Sequence, residues 1–164
     1  MTDNFIQLEE ENILRLGIKD SQGNDTGNVL EFDFDDMDFP IRIQSVYRDL
    51  NKLKSKLIND LKIIEKRPDI KKRKNSFSKN EEDAVSKISE FFKETAKLYN
   101  KILGENGVEK LLNGRNLGWT TIPKIDKMIE TQIMPYFNKS VKKEIEEIKG
   151  TYKIPGLKDN EVIE

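Results

Sequence analysis

DFPIRIQSVYRDLNKLKSKLINDLKIIE, residues 38–65, decides the fold class of this chain. Ile43, Val46, Leu50, Leu53, Leu57, Leu61 and Ile64 recur at steps of three or four and draw one apolar stripe. Arg48, Lys52, Lys54, Lys56 and Lys62 fall elsewhere on the same wheel. Asp38 is a candidate N-cap, and Pro40 lies early, where its missing N–H costs nothing. The pattern predicts a long helix over 41–65 whose stripe suits a bundle core or a coiled-coil-like partner contact.

Upstream, NILRLGIK (12–19) is apolar and partly β-branched, and NVLEFDF (28–34) alternates, with Val29, Glu31 and Asp33 on one side and Leu30, Phe32 and Phe34 on the other. Between them DSQGNDTG is rich in Gly, Asn and Asp, so 12–34 reads as a β-hairpin with a turn longer than two residues. Two strands alone are marginal in water. Leu30, Phe32 and Phe34 must therefore lie against a helix or extend a sheet shared with another subunit.

Downstream, Pro68 breaks the stripe, and Lys66, Arg67, Lys71, Lys72, Arg73 and Lys74 crowd into an expected exposed loop. Ser78 with Glu81 makes a capping box, and Gly104 stands where a helix C-terminus takes a glycine, which predicts a second helix over 79–103. Its core face is Ala84, Val85, Ile88, Phe91, Phe92, Leu98 and Ile102, with Thr95 interrupting. Antiparallel pairing of the two long helices across the basic loop is the natural arrangement. A short helix follows over 105–113, then more helix over 120–149, capped by Thr120 or Thr121 and kinked or divided by Pro135. Trp119 is expected to close one end of the core. The expected architecture is mainly α, an N-terminal β-hairpin followed by a bundle of four to five helices in a single domain over 1–150, with a mobile tail at 151–164.

The composition narrows the chemistry. The chain has 164 residues, 36% charged against 35% hydrophobic, with no His and no Cys. Disulfides, His- or Cys-based zinc sites, thiol nucleophiles and imidazole acid–base catalysis are excluded. The densest carboxylate group is Asp33, Asp35, Asp36 and Asp38, which lacks the Gly and distal Glu of an EF-hand loop and precedes a helix N-terminus that welcomes negative charge. GNDTGN and GENG lack the lysine and strand-to-helix context of a phosphate loop. The expectation is a protein that is not an enzyme and uses no cofactor or metal. An acidic N-terminus and the lack of a long apolar run point to the cytoplasm.

The charges are segregated. Residues 1–40 hold 11 acidic and 2 basic residues, 41–79 hold 4 acidic and 13 basic, and 80–164 hold 15 acidic and 14 basic. The net charges of minus 9, plus 9 and minus 1 set up complementary fields within one subunit or between neighbours, unless they are only solvated faces. The basic loop is also the one local feature that points to nucleic acid, although Phe77 is its one aromatic neighbour and a pI near 5.8 is far from the usual basic footprint.

In order of features the chain resembles the tail assembly chaperones of long-tailed phages and prophages of Gram-positive bacteria. Four stretches carry the likeness: the hairpin with its Gly-Asn-Asp turn, LEFDFDDMDFPIRI leading into a long helix, YNKILGENGVEKLLNGRN, and IETQIMPYF. Leu103, Gly104, Glu105, Gly107, Leu111, Leu112, Gly114, Met134 and Pro135 occupy the family's helix-end and helix-joint places, with Leu103 where Phe is usual. The resemblance spans about residues 12–138. It implies a helical cytoplasmic protein of the bacterial host that binds and coats the tape-measure protein, helps recruit tail-tube protein, and self-associates. A frameshifted longer form would then be joined after Gly150. Candidate partner-binding residues are Leu30, Phe32 and Phe34 of the hairpin, Leu50, Leu53 and Leu57 of the first long helix, and Lys71, Lys72, Arg73 and Lys74. The expected mode is an apolar groove on the helical hairpin that reads a partner helix by its stripe. The alternatives are a nucleic-acid-binding accessory protein acting through loop 66–74, or a minor structural protein of the virion. No membrane partner is expected.

Overall fold

The computed structural model describes residue 6 and residues 12–70, 74 and 76–151, the last of these in its backbone. Lys71, Lys72 and Arg73 of the basic loop and the expected tail from 152 on lie outside the described residues. The fold is mainly α: an N-terminal antiparallel hairpin is followed by four helices, the last built of three consecutive segments. The chain falls into two compact units, residues 1–123 and 124–164.

In the first unit, β1 (Ile13–Lys19) and β2 (Asp25–Asp33) pair with Leu14 opposite Phe32 and Leu16 opposite Leu30. That register puts Ile18, Leu30 and Phe32 in the core and turns Val29, Glu31 and Asp33 outward. Asp20 shapes the turn, its carboxylate accepting from the backbone N–H groups of Gln22 and Asn24. β2 begins three residues earlier than the alternation alone predicts. A bulge opposite Ile18 absorbs the irregular stretch: Gly27 takes φ 77° there, and the Thr26 hydroxyl donates to the Ile18 carbonyl at 2.7 Å.

α1 (Phe39–Lys66) and α2 (Lys79–Leu103) pack side by side along their stripes. Asp38 occupies the N-cap position of α1 but its carboxylate makes no capping bond, because its backbone is already right-handed helical; Pro40 sits in the first turn as expected. α2 opens with the full capping box, Glu81 N–H to Ser78 Oγ and Ser78 N–H to Glu81 Oε2, each 3.2 Å. At the same end Arg67 and Lys79 hold Asp83 at 2.8 and 3.0 Å, and hydrogen bonds from both keep its carboxyl below the ordinary aspartate range. Asn80 donates to the carbonyls of Ile64 and Arg67, tying the end of α1 to the start of α2.

Thr95, the polar break in the α2 stripe, is 1% exposed, and its Oγ1 finds no hydrogen-bond partner among the described residues. A buried hydroxyl without a partner costs about 1–3 kcal/mol. Thr95→Val keeps the shape and removes that cost, so urea unfolding should show a gain of about 1 kcal/mol. A loss would mean that the hydroxyl is satisfied in solution.

α2 ends at Gly104, φ 96°, and α3 (Gly107–Leu112) starts three residues later. The joint is fastened by Asn100, whose Oδ1 accepts from the Val108 N–H at 2.8 Å. From α3, the Lys110 carbonyl accepts from the Asn28 side chain of β2 at 3.3 Å. Hairpin, α3, the end of α2 and the start of α1 thus gather at one end of the unit, where Phe32 meets Phe39 edge to face at 5.9 Å and Arg42 donates to the Lys101 carbonyl. The loop between α1 and α2 lies at the other end.

The second unit is a helix that starts at the boundary: α4 (Ile122–Met128), a π-helical turn (Ile129–Ile133) and α5 (Met134–Thr151) run on without a break. Pro135 therefore neither ends nor divides the helix. It lacks the N–H that would close the next bond, and the turn before it widens instead, with the Met134 N–H reaching back to the Ile129 carbonyl. Thr131 adds to the loosening by donating its hydroxyl to the Lys127 carbonyl at 2.7 Å. Ile125, Ile129, Ile133 and Phe137 are buried at even steps of four.

Candidate partner-binding surface

The seam between α1 and α2 is the groove that the sequence points to; it opens toward the loop end into a concavity of about 230 Å³ lined by Asp60, Ile63, Arg67, Asp83 and Lys87, and it is closed around the predicted Leu53 and Leu57. Leu53, Leu57 and Phe91 line the closed part with charged neighbours, and it encloses only about 40 Å³. A helix about 10 Å across has no room there. The reason is that the two stripes are satisfied by each other: Leu57 is buried and Leu50 and Leu53 are half-buried. Leu30 and Phe32 are likewise buried in the core of the first unit, and Phe34 is half-buried. Of the two arrangements open to the hairpin face, packing within the chain is the one seen. Leu30, Phe32 and Leu57 are thus core residues, withdrawn from any partner. Lys74 is exposed, as a partner contact requires, whereas Lys71, Lys72 and Arg73 are not described.

An open apolar surface lies instead on the flank of α2 that faces away from this seam. Val85, Ile88, Phe92 and Ala96 form a line beside the core line of Phe91, Thr95 and Tyr99. With Val108 of α3 and Leu117 of the following loop they wall a concavity of about 550 Å³. A second concavity of about 530 Å³ adjoins it and shares Ser89, Lys93, Ala96 and Glu109. Together they make a trough along most of α2: the part toward α3 and Leu117 is floored by Ile88, Phe92 and Ala96, and the other part is polar, lined by Ser86, Ser89, Glu90, Lys97 and Asn100. Val85 is 50% exposed at one end.

Trp119 stands beside the trough and is 52% exposed. Its ring stacks on Phe91 at 5.3 Å and meets Phe92 edge-on at 5.0 Å. Such aromatic pairs are worth about 1 kcal/mol each beyond their burial. The indole thus props Phe92 toward the trough more than it seals a core. Gly118 and Thr121 hold the approach to Trp119, the Gly118 N–H donating to Thr121 Oγ1 at 2.9 Å and that hydroxyl donating back to the Gly118 carbonyl.

No known protein family, curated protein or solved structure matches this chain.

Three carboxylates of residues 33–38, those of Asp33, Asp35 and Asp36, are engaged in local bonds. Asp36 bridges to Arg42 at 2.8 Å, Asp33 accepts from the Asp35 N–H, and Asp35 accepts from the Asn12 side chain. Among the described residues no three His, Cys, Asp or Glu side chains converge as a cation site, and no helix is long and apolar enough to cross a membrane. Sequence reasoning counted Val85, Ile88 and Phe92 in the α2 core. The signal it passed over is the width of the apolar arc: two parallel lines on one helix are more than one neighbouring helix covers.

Proposed function

We propose that this protein is a tail assembly chaperone of a long-tailed phage or prophage of Gram-positive bacteria, acting by binding and not by catalysis in the cytoplasm of the host. It coats the tape-measure protein while the tail is built, and helps recruit the tail-tube protein. The observation that carries this reading is the open concavity of about 550 Å³ on α2, with Val85, Ile88, Phe92 and Ala96 beside Lys93, Glu109 and Arg115, which suits the apolar stripe of a helical client. The order of hairpin, paired long helices and glycine-jointed short helix, which prompted the resemblance, supports it as well.

The test is co-expression with the tape-measure protein of the same gene cluster. The two should co-purify. Val85→Glu together with Ser89→Glu, both on exposed positions of the trough, should cut recovery at least about tenfold, the effect of roughly 1.4 kcal/mol lost from binding. A client that does not co-purify ends this reading. A gel shift with nucleic acid that is lost on replacing Lys71, Lys72, Arg73 and Lys74 by Ala would put the accessory-protein alternative in its place.

A further inference from the structure

The concavity of about 550 Å³ between α2 and the chain that follows α3 has a charge bias as well as an apolar floor. Lys93 stands on the α2 wall and Arg115 on the other, and both are exposed. Neither makes an ion pair with a described residue. The backbone is bent to bring Arg115 there: Asn113 and Gly114 take φ 50° and 81°, and they turn the chain so that Arg115 and Leu117 face α2 across the concavity. The Arg115 Nε then donates to the Leu112 carbonyl at 3.4 Å, which steadies the guanidinium at the wall.

Among the described residues one carboxylate lines this part, that of Glu109, and it accepts from the Asn100 side chain at 3.4 Å. Glu90 and Glu94 belong to the adjoining polar part, where Glu94 is paired with Lys97 at 2.9 Å. The apolar part therefore offers two cations without ion pairs, one on each side of its floor, against one carboxylate already engaged. On α2 its lining runs from Val85 to Ala96, a rise of about 16 Å, or three turns of helix. Trp119, half exposed beside Phe92, adds the kind of large ring that anchors an interface.

We infer that this concavity selects an amphipathic helix whose apolar stripe is flanked by carboxylates, one flank meeting Lys93 and the other Arg115, with Trp119 packed at its margin. The inference rests on the α2 surface being the client site proposed above, and adds which client helices it takes. The stripe supplies affinity. The cations supply choice, because a helix flanked by lysines would set like charges against each other across the same floor.

Trp119 is the chain's only tryptophan, so its fluorescence reports occupancy without a label. The probes are three synthetic peptides of about 18 residues, free of Trp, that share one leucine stripe at helical spacing and carry Glu, Gln or Lys beside it. At about 0.1 M salt the full chain should bind the Glu peptide about tenfold more tightly than the Lys peptide, with the Gln peptide between, as expected when two exposed charge contacts turn from attraction to repulsion. At about 1 M salt the gap should shrink below about threefold. Lys93→Glu with Arg115→Glu, checked for folding by circular dichroism, should invert the order. Lys93→Glu alone changes one exposed position on α2 and should narrow the gap even where the double variant fails to fold. Lys52→Glu, exposed on α1, is the control and should leave the order as it was.

Equal affinity of the wild-type chain for the Glu and Lys peptides overturns the inference, as does binding of none of the three, or a preference that Lys93→Glu leaves intact. The outcomes also separate this inference from the reading it rests on. Tape-measure protein that co-purifies as well with the charge-reversed double variant as with wild type upholds the client and overturns the acidic-flank choice. A Glu peptide selected as expected, with tape-measure protein left behind, upholds the choice and overturns the client.

Discussion

Gly107→Ala should lower the unfolding free energy by about 2–3 kcal/mol, in the upper part of the range for overpacked sites. A methyl group at this position lands on the Cβ of Leu103, which belongs to the last turn of α2 and is itself buried. A clash with a Cβ is hard to relieve, because that atom moves only with its backbone. The backbone on both sides is fixed: the Gly107 N–H donates to the Gly104 carbonyl at 3.0 Å, the Val108 N–H to Asn100 at 2.8 Å, and Asn106 is already in the left-handed region at φ 54°. The strain must therefore open the α2–α3 joint. Since Val108 and Glu109 line the trough and Lys110 holds Asn28 of the hairpin, the same substitution should weaken client capture. Gly118→Ala is the control, because a methyl group there meets nothing and the backbone is not left-handed; it should stay within about 0.5 kcal/mol of wild type. Urea unfolding of the pair decides the matter. Equal stability would mean that the joint is looser than its hydrogen bonds imply.

The two kinds of information in the sequence had unequal reach. Local signals were legible. The stripe from Ile43 to Ile64, the Ser78–Glu81 capping box, the glycine at 104 and the alternation through Leu30 and Phe32 each depend on residues a few positions apart, and each corresponds to an element of the fold. Contacts between distant segments, the pairing of the two long helices apart, were not legible. Nothing near Trp119 announces Phe91 and Phe92 as its partners, so a ring expected to close a core stands half open beside a trough. The bulge that starts β2 at Asp25 depends on Ile18 across the hairpin. The pairing of α1 with α2 was expected from their stripes, but how fully the two stripes cover each other, leaving Leu57 buried, is seen only in the packing.

Phe137→Ala should cost about 3–5 kcal/mol, as for a fully buried large aromatic, while Tyr136→Ala next to it, half exposed, should cost about 1 kcal/mol or less. The contrast tests the phase of the closing helix. In an unbroken α-helix a step of four residues turns about 400°, so three such steps from Ile125 would swing Phe137 about 120° away from it. Yet Ile125, Ile129, Ile133 and Phe137 are all buried to within 2% of their surface. The π-helical turn over Ile129–Ile133 supplies the correction, because its wider turn carries more residues per revolution and brings the line back. Pro135 then has a function that its reputation as a helix breaker conceals. By withholding one N–H it favours the wide turn just where the apolar spacing calls for it. If Tyr136→Ala proved as costly as Phe137→Ala, the helix would have a different phase beyond the turn.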